Sequence, residues 1–266
     1  MSCNNSKRSS KRQAKAIGTV IAAIVVIVAG AASAIPSCFN SRGAISSIVE
    51  NLGAPASHAA SAESLEDIPE YDGEAYVVID ADSEDPLGSP DFSEDEIDRA
   101  ENGAFEDYSP LDREGRCGEA LACLGPETMP TEPRGDIHEI HPSGWDQAFY
   151  DFVENEALYN RSHLIAHSLS GEDANERNLI TGTRSMNADG MRPFEEEVAR
   201  YIDDTGNHVL YRSTPIFSGT ELVARGVQVE AYSMEDGGEG ICFNIYFYNV
   251  EPGVVIDYET GESWAA

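Results

Sequence analysis

The sequence predicts an α+β domain organised on a mostly antiparallel β-sheet. Three observations carry that prediction. The C-terminal third is a succession of β-branched and aromatic runs divided by turns. One amphipathic helix stands near the middle, at Met191 to Asp203. Strand and helix patterns nowhere alternate as a parallel sheet would require.

At the N-terminus, Lys7, Arg8, Lys11, Arg12 and Lys15 precede an apolar run from Ala16 to Ile35. At about 1.5 Å per residue that run can cross the roughly 30 Å hydrocarbon layer. The basic flank predicts that it stays in the cytoplasm and that the body lies outside. Ala32-Ser33-Ala34 fits a signal-peptide cleavage pattern. Residues 1–38 therefore read as a basic flank plus a signal peptide or a membrane anchor, with the body secreted or held at the cell surface. Residues 39–73 are aperiodic and rich in Ser, Ala, Gly and acids, which predicts a disordered linker. Residues 74–266 remain for the folded domain.

Glu74 to Ile79 reads as the first strand. The acidic stretch through Glu114, with Pro86, Pro90 and Pro110, reads as loop with a short helix near Phe92 to Ala100. From Arg116 to Trp145 the text is turn-rich, and Pro142-Ser143-Gly144-Trp145 predicts a turn that plants Trp145 against the core. Runs at Gln147 to Val153 and Ala157 to Ile165 flank Glu154-Asn155-Glu156 and predict a hairpin. Gly171 to Arg177 is a polar loop. Met191, Phe194, Val198 and Tyr201 or Ile202 recur at helical spacing; Pro193 sets the helix start near Asp189 to Arg192, and Gly206 ends it. His208 to Phe217, Leu222 to Tyr232, Ile241 to Val250 and Val254 to Tyr258 are the C-terminal strands.

Of the five cysteines, Cys117 and Cys123 lie six apart in a loop-like segment and could close as a disulfide, whereas Cys242 reads as a buried thiol. All 48 acidic residues follow residue 38, against 12 basic ones there, every one an arginine. Such a body repels polyanions at long range, which argues against a nonspecific nucleic-acid coat protein. The charge is uneven, however. Residues 63–114 hold 20 acids against two arginines, whereas residues 161–212 hold six arginines against nine acids. Arginine's planar fork suits bidentate phosphate contact.

That second region carries the chemistry. Hydrolysing a phosphodiester needs a base for water, a cation to absorb phosphate charge, and help for the departing oxygen. His163 can supply the first near neutral pH. Asn187 offers the oxygen ligand a hard Mg²⁺ accepts when substrate and water complete its shell. Glu195 lies eight residues on, about two helical turns, so both can point from one face. His138 and His141 lack the His-Glu-x-x-His spacing of a zinc helix, and His167 reads as structural.

Asn160-Arg161-Ser162-His163, the run from Asn178-Leu179 to Asn187, and Glu195 together resemble the DNA/RNA non-specific endonucleases of the ββα-metal (His-Me finger) type, bacterial DNA-entry nucleases in particular. The resemblance spans roughly Glu74 to Glu262. It implies a ββα-metal core with His163 as general base, Arg161 steadying the phosphate, Asn178 ordering the metal loop, Asn187 binding Mg²⁺ (Mn²⁺ as substitute), and Glu195 holding metal waters. Arg184 and Arg192 are candidate phosphate contacts; Glu196 and Glu197 read as the helix's solvated face. DNA and RNA are the implied substrates, cut with little sequence preference to leave 5′-phosphate ends. The family motif's usual Asp and Gly are replaced by Asn160 and Ser162. Two rivals stand beside this reading: a zinc hydrolase using His163 and His167, and a non-catalytic surface module of the same fold. An inhibitor protein and the membrane are further candidate partners.

Overall fold

The computed structural model describes residues 65, 66, 68–79 and 86–266, with the backbone of a two-residue strand at His58–Ala59. By contacts the chain divides into residues 1–32 and 33–266, and only the second unit is described here. The expected signal or anchor segment lies outside the described residues, and no described helix is long and apolar enough to cross a membrane.

The elements run β1 (His58–Ala59), β2 (Tyr76–Ile79), α1 (Glu94–Ala100), β3 (Phe105–Tyr108), β4 (Ala120–Leu124), β5 (Tyr159–His163), α2 (His167–Ser170), β6 (Leu179–Thr183), α3 (Arg192–Thr205), β7 (Val209–Ile216), β8 (Gly226–Ser233), β9 (Cys242–Tyr248), β10 (Val254–Ile256) and β11 (Ser263–Ala265). A seven-stranded sheet has the order β1-β2-β9-β8-β7-β4-β3. Only β1 and β2 pair in parallel; every other neighbour is antiparallel. The mostly antiparallel sheet with few helices is thus as the sequence predicts. β5 and β6 form a separate antiparallel pair, as do β10 and β11.

All seven residues of β9 are buried, because both faces of the sheet's centre are covered. On one face lies α3. Its apolar stripe of Phe194, Val198, Tyr201 and Ile202 is buried, Pro193 sits in its first turn, and Gly206 closes it at φ 73°. Phe194 meets Tyr76, Phe243 and Phe247 edge-on at ring separations of 5.2–5.4 Å. Burying such a ring stabilises by about 1.5–3 kcal/mol. This anchor fixes the rotation of the helix, and so the direction of Glu195 beside it. On the opposite face Leu65 and Ile68, from the stretch read as linker, pack on Val77, Ile79, Tyr246 and Tyr248, whose hydroxyl donates to the Pro69 carbonyl at 2.9 Å.

Several local expectations are corrected. Strands β3 and β4 occupy stretches read as loop and turn; β4 is wholly buried and gives no alternation to read. The hairpin between residues 147 and 165 reduces to a single bridge, Phe149 with Ala157, because Asn155 and Glu156 both turn left-handed. The true partner of β5 is β6, just after the polar loop, in a run to which the sequence reading assigned no strand. Cys117 and Cys123 are free and buried: Cys117 donates to the Leu179 carbonyl at 3.2 Å and Cys123 to Ala100 at 3.7 Å. Cys242 is buried but disulfide-bonded. Glu197 is only 5% exposed and pairs with Arg200, so Glu196 alone of the two lies on the solvated face.

Candidate active site

β5 ends at His163, where the paired register opposes it to Leu179. What stops the strand is Asn178. This residue, fully buried, accepts from the Ile165 amide at 2.8 Å and donates back to the Ile165 carbonyl at 3.0 Å. Its own carbonyl accepts from the Leu164 amide at 2.9 Å. The chain is thereby held in its turn just past the histidine. Ser162 fits where the resembled motif has glycine because β6 offers Gly182 beneath it; a Cβ there would stand 2.2 Å from the Ser162 hydroxyl.

β6 leads through Ser185 into a π-type turn, Met186–Met191, in which the Arg192 amide reaches back to the Asn187 carbonyl. Such turns widen the helix and recur at functional sites. The turn is pinned from below. Asn249 accepts from the Thr183 amide at 2.8 Å and donates to the Thr181 and Ala224 carbonyls, and Glu251 accepts from the Ser185 amide and hydroxyl, each at 2.8 Å. Neither residue was singled out by sequence; their contacts to β6 and Ser185 cross 66 to 68 residues of chain. They leave Asn187 at the cleft, its side-chain amide making no hydrogen bond among the described residues.

The cleft encloses about 700 Å³. His163, Arg161, Arg184, Asn187, Arg192 and Glu195 all line it, brought together from β5, the end of β6, the π-type turn and α3; Asn178 lies behind it. His167, Asn160 and Trp145 line it as well, so Trp145 walls the site rather than filling the core. The side-chain nitrogen of Asn160 is buried and makes no hydrogen bond among the described residues. With Arg134 added, four arginines face Asp136, Glu195 and Glu196, a basic enclave in an acidic body.

The imidazole is fixed at both nitrogens. Arg134 donates from Nη2 to Nδ1 at 3.3 Å, and Nε2 lies 3.3 Å from the Asp173 carbonyl. An arginine has no acceptor, so Nδ1 is the lone-pair nitrogen and Nε2 carries the proton. Burial first, and the Arg134 charge second, push the His163 pKa down to about 4. The ring is therefore neutral, with its basic nitrogen towards the guanidinium. Arg134 escaped the sequence reading, since its turn-rich loop shows no periodicity and comes within reach of His163 only through the fold.

The other predicted residues divide. Arg161 donates to the Ile140 and His138 carbonyls at 2.5 Å each and covers the Trp145 ring at 4.2 Å, which leaves Nη1 as its uncommitted nitrogen. Arg184 donates twice to Glu154, at 2.8 and 3.0 Å. Arg192 is 54% exposed and 3.7 Å from Glu196. Glu195 opens partly to the cleft; burial of the rest, reinforced by Glu196, pushes its carboxyl up to about 8 against the pull of Arg192 and Arg134. A carboxyl so raised beside a bare amide oxygen is the donor set a hard cation would relieve. Among the described residues no three His, Cys, Asp or Glu side chains converge, as a closed zinc site would need.

Residues 95–235 match the family model of DNA/RNA non-specific endonucleases. A deoxyribonuclease of Streptococcus dysgalactiae subsp. equisimilis is 37% identical over 112 residues, which is 40% of this chain and 33% of that one, so the chain spans about a third of this relative's length. The structure of NucA from Streptococcus agalactiae with magnesium bound superposes with a TM-score of 0.56 at 25% identity, over 62% of this chain and 80% of that one. The Sda1 nuclease with bound zinc gives 0.53 at 29% identity, over 61% and 82%. All the residues lining the cleft fall within the matched region, and the chain belongs to the DNA/RNA non-specific endonuclease family.

Proposed function

We propose that this chain is an exported, Mg²⁺-dependent endonuclease that hydrolyses DNA and RNA phosphodiesters to 5′-phosphate products on a ββα-metal core formed by β5, β6 and α3. The observation that carries the reading is the shared cleft: a neutral imidazole with its lone pair on Nδ1, beside Asn187 and Glu195 and under arginines. Residues 1–38 would direct export or anchor the chain in the membrane, and the stretch from residue 39 to β1 would be the linker.

His163 would accept the proton of the attacking water at Nδ1, once Arg134 turns from that nitrogen to a phosphate oxygen. The Asp173 carbonyl, accepting from Nε2–H, stabilises the imidazolium that results. Arg134, Arg192 and the free nitrogen of Arg161 would hold the phosphate, and Arg184 would join them on leaving Glu154. Asn187 and Glu195 are the residues that would hold a divalent cation, which when bound would supply Lewis-acid neutralisation of phosphate charge. Contacts of this kind read backbone and not bases, hence little sequence preference.

The test is degradation of plasmid DNA and of RNA by the purified chain with Mg²⁺, Mn²⁺, Zn²⁺ or chelator. Wild type is expected to nick and degrade with Mg²⁺, and His163→Ala and Asn187→Ala to lose most activity while still folding. Cleavage by His163→Ala at the wild-type rate would defeat the assignment.

A further inference from the structure

Asp173, in the loop after α2, touches three parts of the site at once. Its carbonyl accepts from His163 Nε2 at 3.3 Å; one carboxylate oxygen accepts from the Gly135 amide at 2.8 Å; the other lies 3.1 Å from Nδ1 of His167. Gly135 directly follows Arg134, whose guanidinium meets the far side of the same imidazole at 3.3 Å. The approach is close enough to need a glycine: a Cβ on Gly135 would stand 2.6 Å from that carboxylate oxygen.

We propose that Asp173 is a positioning residue for cleavage, its carboxylate fixing the Arg134–Gly135 loop to the loop after α2 so that Arg134 is carried to the base and to the phosphate that the activated water attacks. The loop around Arg134 is long and turn-rich, and a flexible side chain at its tip is useful only if the backbone beneath it is held. Asp173 does this from the same residue that sets the His163 proton, so base and guanidinium share one reference point. His167 only packs against the remaining oxygen, its Nδ1 3.1 Å away without hydrogen-bond alignment, so among the described residues the carboxylate's hydrogen bond is the one to the Gly135 amide. The inference rests on the nuclease reading above.

The experiment is a double-mutant cycle on the full chain, with kcat and KM measured on a defined oligonucleotide in Mg²⁺ for Asp173→Ala, Arg134→Ala and the pair, and melting recorded for each. Asp173→Ala is expected to lower kcat about tenfold, and the pair to be no slower than Arg134→Ala alone, because the carboxylate acts through the guanidinium. Asp173→Asn, which keeps an acceptor for the Gly135 amide, should retain most activity. Gly135→Ala, which pushes the carboxylate off from the other side, should reproduce Asp173→Ala even if that variant folds poorly. The pH profile supplies a second readout. The groups facing His163 are Arg134 from the loop, Asp173, and His167 of α2. Losing the nearby guanidinium should move the acid limb of kcat/KM upward in Arg134→Ala and, because the Arg134 charge outweighs that of Asp173, less far upward in Asp173→Ala, which lost fold stability alone would not do. Losses that multiply in the double variant, or an acid limb that stays in place, overturn the assignment. Were His163→Ala as active as wild type, it would be the nuclease reading that failed.

Discussion

Asn178→Ala should separate holding the site from performing its chemistry. The side chain is fully buried and meets both polar groups of Ile165, accepting at 2.8 Å and donating at 3.0 Å. Alanine strands an amide and a carbonyl where water does not replace the lost partner. Each stranded group costs about 1–3 kcal/mol, the carbonyl at the lower end. A total of about 3 kcal/mol is expected, or a melting decrease of roughly 6–12 °C for a domain of this size. Asn178→Asp should be worse, since it keeps the acceptor but buries a charge and loses the donor. Urea unfolding followed by tryptophan fluorescence measures the cost. The nuclease assay should show kcat falling as the turn after His163 loosens, while the Mg²⁺ concentration for half-activity stays put. A variant that melts with wild type, or one whose defect is cured by more Mg²⁺, would refute the reasoning and place Asn178 among the cation's own contacts.

Three further outcomes follow from other parts of the structure. His163, held down to about 4 from 6.5, favours the folded state above 6.5; that stability is lost as pH falls through 4, because the unfolded chain takes up the proton first. Glu195, raised from 4.5 to about 8, acts with the opposite sign: its stability is present below 4.5 and lost as pH rises through 8. Metal-free Glu195→Gln should therefore melt above wild type at about pH 9 and close to it at about pH 5, and equal differences at both would contradict this. Arg212 donates to Glu230 at 2.7 Å, Glu96 at 3.0 Å and the Asp91 carbonyl at 2.7 Å, and Glu230 is 2% exposed. Arg212→Met should cost about 3–5 kcal/mol by leaving that carboxylate without its counter-charge, with Glu230→Met recovering part of it in chemical denaturation, since the Asp91 amide then loses its acceptor. Burial pushes both the Cys117 and Cys123 thiols up to about 12, so neither should react with a thiol reagent at about pH 8 until the chain unfolds.

What the chain discloses without its fold depends on how far the deciding contact reaches. α3 was legible because its own residues decide it: an apolar stripe, a proline that only a first turn accepts, and a glycine at φ 73°. β7, β8 and β9 were legible from their β-branched and aromatic content. β6 was hidden because all five of its residues are buried, so the run Leu179–Thr183 has no polar face to give it away. The spacing from Asn160 to Glu195 pointed to residues that do meet in one cleft, but not to Arg134, Asp173, Asn249 or Glu251. These act through contacts from distant loops, where neither periodicity nor turn chemistry reports what they will touch. The bridge of Phe149 with Ala157 shows the converse: a plausible local pairing yields when another segment offers five paired residues instead.

The arginine-lined cleft within a chain of net charge −31 sets an unusual ionic-strength signature. A long polyanion must first pass a repulsive zone that reaches about 10 Å from the surface in 0.1 M salt and about three times as far in 0.01 M. Added ions thin that barrier before they loosen contacts made at hydrogen-bonding range. Capture of long duplexes should therefore quicken with modest salt and fade only at higher concentrations, whereas a dinucleotide, short enough to slip inside the repulsive layer, should show only the decline.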